Sequence, residues 1–363
     1  MISSALLDVA ECPDCRHRIA ASDGGARCAG CGRQFDTAHG VLDLRPSVTY
    51  AEQTKYLDHA LHADARHEAI APPLLGSRIR NNMLRAFLQL GPADRVIDLG
   101  CGNGRAIAWN VPTGASLCGV DVSPFFAEEA IEHSDLLLGD LRRLPLRAGA
   151  FNKAWSLDVL EHVSPQAFRE VLTEAARVLT PDGRLFVYTH VRKNGWPAAG
   201  VRAVNRFASF CERHGLIDLR QERLRKSDHL NPIADHDELA RVVGDCGFRI
   251  ERVTYYSPII GALVENVLTR MAERWLTRRA ARASGDHADG QSNAVRTVRT
   301  SAQARVRRGG LLYQLLRVTS AVMMLDVWLF GRFRSGPYFA LLAKMPAVMT
   351  DPDGSGSMAS TGP

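Results

Sequence analysis

The sequence predicts an α/β fold: a mostly parallel sheet with helices on both faces, a small metal-held ribbon ahead of it and a helical insertion near its end. Three observations carry that prediction. The first is "VIDLGCGNGR", residues 96–105, an apolar run with an acid in it, followed by glycines at every second position. The second is a series of short apolar runs downstream, each separated from the next by a helical stretch. The third is the pair "CPDC" and "CAGC" near the start. A buried strand that ends in a bare turn and restarts as a helix is the context a nucleotide-type loop requires.

The bulk numbers leave room for this architecture. The chain has 363 residues, 46% of them hydrophobic, enough for a substantial core and about two or three domains. The net charge is +6. That balance permits contact with nucleic acid or anionic lipid and demands neither. The charge is concentrated: ten arginines and three acids (Glu273, Asp286, Asp289) fall between Arg270 and Arg308. The start has neither a basic opening nor an apolar run of signal-peptide length. With the scattered single cysteines this predicts a cytoplasmic protein, peripheral to a membrane if it meets one.

Residues 1–45 read as a zinc ribbon. Cys12 and Cys15 form one pair and Cys28 and Cys31 the other, with twelve residues between them. Each pair can present two thiolates from a tight turn, and four thiolates close a tetrahedral structural site with no place left for water. The alternatives are two disulfides or four idle thiols. A ribbon this small has little core, so Zn2+ would supply its folding free energy. Residues 46–93 read as a helical linker. Residues 94–256 hold the core. "DRVIDL" is its first strand, "GCGNG" the turn and "RAIAWNV" the start of a helix. "ASLCGVDVS" is the second strand, ending in Asp121, 23 residues after Asp98. A carboxylate there can accept both hydroxyls of a ribose. "SDLLLGD" ends in Asp140, "FNKAWSLDVLEHV" is the fourth strand, and "GRLFVYTH" follows the helix "SPQAFREVLTEAARVLTPD" as the fifth.

These residues resemble the class I S-adenosylmethionine-dependent methyltransferases, in particular the ubiquinone/menaquinone-type branch. The resemblance rests on "VIDLGCGNG", "GVDVS", "GDLRRLPLRAGAFNKAWSLDVLEHV" and "RVLTPDGRLFV", which run from residue 94 to 190 in the family's order. It implies a Rossmann-like seven-stranded methyltransferase sheet and S-adenosyl-L-methionine as cofactor. By resemblance Asp98 holds the methionine amino group, while Gly100 and Gly102 let the backbone approach and Gly104 lets the helix begin close by. Asp121 holds the ribose and Asp140 the adenine amino group. Leu141 offers its backbone to the ring, and Ser156 to Asp158 line the site. The family often carries an acid where this chain has Asn152-Lys153. A nicotinamide-dependent dehydrogenase is the alternative for the glycines, but its loop needs a third glycine two residues further on, and positions 105 and 106 are arginine and alanine. The bland reading of the three acids is turn capping. The ribbon and the stretch after it resemble the zinc-ribbon modules that accompany methyltransferases.

The donor is already activated, so the protein must align the nucleophile and, for a hydroxyl, remove a proton. Asp158, Glu161 and His162 in "LDVLEHV" are the candidates. Glu161 and His162 are read first as orienting the turn after the fourth strand, then His162 as general base, and last as metal ligands by resemblance to quinone-pathway enzymes. His190 closes the fifth strand on the substrate side, and His229 sits in an insertion able to cover the site.

"DHDELARVVGDCGF" predicts a helix and "RIERVTYY" the sixth strand. Residues 336–347 form the last core strand, antiparallel to it. Between them lies the insertion 257–335. It holds a basic helix, a polar linker, an arginine-rich stretch (Arg296 to Arg308) and the apolar "LLYQLLRVTSAVMMLDVWLF". A span needs about that length, but Arg317 and Asp326 interrupt it and the chain must return to the sheet. Two readings remain: a helix lying on an anionic membrane surface, or a cap or homodimer face with the arginines solvated. Residues 348–363 read as a disordered tail. The functional expectation is methyl transfer to a small-molecule, lipid-linked or glycan acceptor, on oxygen or nitrogen. The alternative is an RNA methyltransferase gripping phosphates with ribbon and arginines, disfavoured because no Pro-Pro-Tyr-type base pocket follows the fourth strand. A non-catalytic scaffold is the third class, and the intact acids argue against it.

Overall fold

The computed structural model describes residues 2–38, 40–48, 69–220, 222–223, 229–284, 306 and 309–346. A short helix, α1 (Ser4–Val9), is capped by Ser3, whose hydroxyl accepts the Leu6 amide. Four short strands follow: β1 (Ile19–Ser22), β2 (Gly25–Cys28), β3 (Gln34–Ala38) and β4 (Val41–Asp43). The first three pair antiparallel, as does β3 with β4.

The ribbon does not stand apart from the core. After α2 (Gly76–Leu88) come β5 (Arg95–Leu99), α3 (Arg105–Asn110), β6 (Ser116–Asp121), α4 (Glu128–His133) and β7 (Asp135–Leu138). Strand β4 pairs parallel with β7 through Leu42↔Leu137 and Asp43↔Leu138, and the Leu44 amide continues the ladder onto the Leu138 carbonyl at 2.8 Å. The ribbon therefore covers what would be an open edge of a buried parallel sheet. The boundary at residue 45 is a sequence boundary and not a structural one.

The remaining elements are β8 (Phe151–Leu157), α5 (Pro165–Val178), β9 (Leu179–His190), α6 (Ala198–Arg213), α7 (His236–Asp245), β10 (Phe248–Tyr255), α8 (Ile259–Ala262), α9 (Thr269–Ser284), α10 (Leu311–Met323), α11 (Leu325–Phe330) and β11 (Pro337–Lys344). Among the described residues the sheet runs β1-β2-β3-β4-β7-β6-β5-β8-β9-β11-β10. The seven strands from β7 to β10 are the expected core. Strand β11 inserts antiparallel between β9 and β10, as the sequence predicts. Consecutive strand residues feed opposite layers: Ile97, Val187 and Ala340 join α5 and α7 in one core, and Val96, Phe186 and Phe339 join α2 and α3 in the other. This period of two explains why the central strands are apolar without interruption. Helix α5 starts at the Ser164 cap with Pro165 in its first turn and buries Phe168, Val171, Leu172, Ala175 and Val178 at helical spacing.

Helix α2 corrects the linker reading of 46–93. Ile79, Met83, Leu84, Phe87 and Leu88 are buried against the sheet, so it is a core helix. Residues 49–68, the polar linker 284–294 apart from Ser284, the tail 348–363 and all of the arginine-rich stretch but Val306 and the glycines after it lie outside the described residues.

Because β4 is hydrogen-bonded into the sheet, releasing the ribbon should unsettle the whole core. Cys28→Ser is expected to lower the melting temperature of the entire chain in one cooperative transition, by roughly 2–4 °C for a loss of about 2 kcal/mol. Two separate transitions, with the core melting at its original temperature, would return the ribbon to the status of an independent domain.

Candidate active site

Strand β5 delivers the chain into the glycine turn. The amides of Gly100 and Cys101 both donate to the Val120 carbonyl, at 2.9 and 3.2 Å, which folds the loop against the end of β6. The glycines divide the work differently from the expectation. Gly100 and Gly104 have φ of +82° and +81°, and a Cβ on either would lie 2.5 Å from Val159 or Ala130 respectively. They are glycines because neighbours pack onto them. Gly102, with φ +55°, has nothing within 4 Å on that side. It is the position where bare backbone faces open space.

Asp98 lies beside this loop and is 2% exposed. Its Oδ2 is buried with no hydrogen-bond partner. Burial pushes its carboxyl up to about 8, the Asp121 carboxylate adds to the rise, and Trp155 and Arg105 only partly offset it. Asp121 ends β6. Its Oδ2 accepts the Gly102 amide and its Oδ1 the Ser123 amide, both at 2.8 Å. A carboxylate is acceptor-only, the type of group that takes the hydroxyls of a ribose. Asp140 has the capping role as well: Oδ1 accepts the Arg142 amide at 2.9 Å, and the Arg142 guanidinium grips both oxygens. Leu141 begins the 3-10 turn that this cap sets (Leu141–Arg143). An ammonium group near Asp98, a diol at Asp121 and a flat ring along the Asp140–Leu141 edge are what these groups can hold. The residues fit S-adenosylmethionine.

The other predicted residues gather at the end of β8. Ser156 is buried and donates its hydroxyl to the Leu99 carbonyl at 3.1 Å, so it ties β8 to β5 and is not a free ligand. Asp158 has φ +56°, a conformation unusual for aspartate, and its carboxylate pairs with Arg80 at 3.3 Å. Arg80 comes from α2 and also lies 5.5 Å from the Tyr188 ring centroid. Glu161 is buried; its Oε2 accepts the Thr189 hydroxyl at 2.8 Å and its Oε1 faces His190 Nδ1 at 3.6 Å. Burial raises the Glu161 carboxyl, but His190 and Thr189 outweigh it and hold it below the usual range. The loop bearing His229 is fastened here, because the Leu230 and Asn231 amides both donate to the Glu161 carbonyl. His229 stacks edge-on to His162 at 4.7 Å and lies 5.8 Å from His190. Glu161 thus has histidines on more than one side: His190 Nδ1 lies 3.6 Å away, outside hydrogen-bond range, and Glu161, His162 and His229 bring ligand atoms within 4.8 Å of one another. Arg80 and Thr189 carry no motif, and nothing in the sequence marked them.

The four thiols of the ribbon meet as predicted. Cys12 and Cys31 sulfurs are 3.7 Å apart, Cys15 and Cys28 3.4 Å, and all four lie within 4.8 Å of one another. A tetrahedron with Zn–S near 2.3 Å has edges of about 3.8 Å. These separations suit zinc and exceed a disulfide bond. The amides of Gly30 and Cys31 donate to the Cys28 sulfur. The first knuckle also touches the candidate adenine edge: Arg143 donates to the Pro13 and Asp14 carbonyls, and Arg16 donates to the Leu144 carbonyl and pairs with Glu174. Glu11 and Arg147 amides close the same loop from both sides, onto the Pro145 and Val9 carbonyls.

A cleft of about 520 Å³ opens elsewhere, under α1 among Arg95, Ser116, Asp135 and Phe151. Those residues are strand starts. Ligands of open α/β sheets bind at the carboxyl ends, where the acids and the glycine turn are, so the smaller-featured edge is the candidate site.

Comparison with known proteins agrees with this geometry. Residues 97–187 match the family described as "Methyltransferase domain". The methyltransferase GfsG of Streptomyces halstedii is 30% identical over 156 residues, 38% of this chain and 55% of that protein. The 27-O-demethylrifamycin SV methyltransferase of Amycolatopsis mediterranei is 33% identical over 112 residues, 28% of this chain and 40% of that one. A tRNA (carboxymethyluridine(34)-5-O)-methyltransferase of Arabidopsis thaliana is 31% identical over 125 residues, 33% and 30% of the two chains. The match spans about half or less of each relative. Among solved structures, Haemonchus contortus phosphoethanolamine N-methyltransferase 2 with S-adenosylmethionine aligns over 82% of this chain and 61% of that chain at 13% identity and a TM-score of 0.47. Residues 97–187 of the chain are thus a methyltransferase domain of the S-adenosylmethionine-dependent type.

Asp98 gives a prediction with a definite sign. Its folded pKa lies above its unfolded one, so the folded state binds the extra proton and loses stability as pH rises from about 4 toward 8. Asp98→Asn should therefore stabilise the ligand-free protein most at pH 8–9 and hardly at pH 4, read by thermal melting, while abolishing S-adenosylmethionine binding. Equal effects at both pH values would show that the carboxyl is not held neutral by burial.

Proposed function

We propose that the protein transfers the methyl group of S-adenosylmethionine to a small-molecule or lipid-linked acceptor, on oxygen or nitrogen. The observation that carries this reading is the unpaired buried oxygen of Asp98 beside the open face of Gly102, at the strand edge where Asp121 and Asp140 also end. S-adenosylmethionine, when bound, supplies a methyl group already activated as a sulfonium. Asp98 accepts the ammonium of its methionine part, Asp121 takes the ribose hydroxyls, and the turn from Asp140 to Arg143 borders the adenine. Cys12, Cys15, Cys28 and Cys31 hold a structural Zn2+ that fastens the knuckle against this turn.

On the acceptor side the chain provides proton handling. His190, 3.6 Å from the buried Glu161 carboxylate, would take the proton of an acceptor hydroxyl; the bound cofactor would supply the methyl carbon, whose bond to sulfur breaks as the bond to the acceptor oxygen forms. Arg80 and Asp158 hold the end of β8 in its unusual conformation beside the same space. The Amycolatopsis relative, named as a methyltransferase of a demethylated rifamycin, supports a small hydroxyl acceptor. The Arabidopsis relative and the arginine-rich stretch favour RNA as the second reading.

Labelled methyl transfer into lysate fractions separates the two. The expected result is label in the small-molecule or lipid pool, and label confined to RNA would overturn the acceptor assignment. Asp121→Ala should weaken S-adenosylmethionine binding by about 1.5–3 kcal/mol, the range of a charge-assisted hydrogen bond, in a calorimetric titration. His190→Gln should lower kcat by roughly 10²-fold or more with cofactor affinity unchanged, and His162→Gln should cost less. The reverse order would restore His162 as the base.

A further inference from the structure

Helix α10 and its continuation α11 are apolar on both sides. On the side facing the protein Met323 is fully buried, Met324 and Val327 pack against the core, and two polar anchors sit among them. Ser320 is fully buried; its hydroxyl accepts the Leu75 amide at 2.8 Å and donates to the Leu316 carbonyl. Asp326 is fully buried; its two oxygens accept the Ile260 and Gly261 amides at 3.0 and 2.8 Å and so anchor α8. The side facing out carries Leu311, Leu315, Val318, Val322, Leu325 and Leu329, spaced by three and four residues along one stripe, with Trp328 beside it. Leu311 is 88% exposed, Val318 63% and Trp328 79%. A helix that merely capped a soluble core would carry polar residues on its outer side.

The stripe continues into an aromatic cluster. Trp196 at the start of α6 lies 6.1 Å from Phe330 and 5.1 Å from Phe333, and Arg332 sits over the Phe333 ring at 4.9 Å. Tyr313 carries Arg317 in the same way at 5.8 Å. Rings with guanidinium partners at the margin of an apolar face suit the headgroup zone of a bilayer. The chain entering the stripe at Leu311 brings Arg296, Arg299, Arg305, Arg307 and Arg308.

We propose that the outer face of α10–α11 docks on an anionic lipid surface, lying in the interface. The Arg317 and Arg332 guanidinium groups at the margin of the stripe, and the arginine-rich sequence that precedes it, favour this anionic occupant over a second copy of the chain. Crossing the bilayer is a poorer fit although the helix is long and apolar enough, because Asp326 and Ser320 bind it to the domain and the chain re-enters the sheet as β11 immediately afterwards. Docking of this kind sets the substrate edge of the sheet near lipid, but it does not depend on the methyl-transfer reading.

The test is sedimentation of the full chain with vesicles of phosphatidylcholine alone and of phosphatidylcholine with phosphatidylglycerol. Binding is expected to the anionic vesicles, weaker in high salt but not abolished, because the apolar face is not screened. The triple variant Leu315→Gln, Val318→Gln, Trp328→Gln alters exposed residues only. It should lose about tenfold or more of this partitioning with unchanged melting temperature and S-adenosylmethionine binding. Arg305→Gln, Arg307→Gln and Arg308→Gln together should remove the preference for anionic over neutral vesicles. Failure of the wild type to sediment at low salt overturns the proposal. So does a stable dimer in solution that the triple variant makes monomeric, which would assign the stripe to a second copy.

Discussion

The arrangement turns on one buried carboxylate. Asp98 sits in the central strand of the sheet, almost without exposure, and one of its oxygens has no partner. An isolated buried charge is costly, and the group responds by holding its proton up to about pH 8. A cation arriving at that spot favours the ionised form. The surrounding features serve the same end: the turn is bare at Gly102, and Asp121 is pinned beside it by two backbone amides. The site is prepared for a charged guest and is strained without one.

The ribbon extends this preparation to the far side of the site. It adds β4 to the edge of β7 and places Pro13, Asp14 and Arg16 against the loop that follows β7. That loop carries Asp140 and Leu141. A thiol cluster remote in sequence is thereby in direct mechanical contact with the candidate adenine edge. The physical reason is ordinary sheet chemistry: an uncovered parallel edge exposes unpaired amides and carbonyls, and β4 satisfies them.

Much of this was legible in the sequence because it rests on local rules. The glycine spacing, the acids near the strand ends and the doubled Cys-x-x-Cys each need only a few neighbouring residues, and the structure brings the acids to the glycine turn and the four thiols together. The inserted last strand was legible for the same reason. What escaped depends on contacts between distant segments. Arg80 meets Asp158 only once α2 packs on the sheet, and α2 has no cap or motif to announce it as core. The reasons for glycine at 100 and 104 lie in Val159 and Ala130, far along the chain. That Glu161 meets His162, His190 and the distant His229 in one place is likewise beyond what spacing reveals. The apolar stretch from Leu311 to Phe330 was visible, but which of its faces points inward was not, because Ser320 and Asp326 find their partners on Leu75 and on α8.

The central claim is that a cationic cofactor ionises Asp98 on binding. Titration calorimetry with S-adenosylmethionine at pH 7, in two buffers of different ionisation enthalpy, counts the protons that move. A carboxyl poised near 8 that becomes ionised predicts the release of close to one proton per site. Binding without proton release, or with proton uptake, would contradict the account.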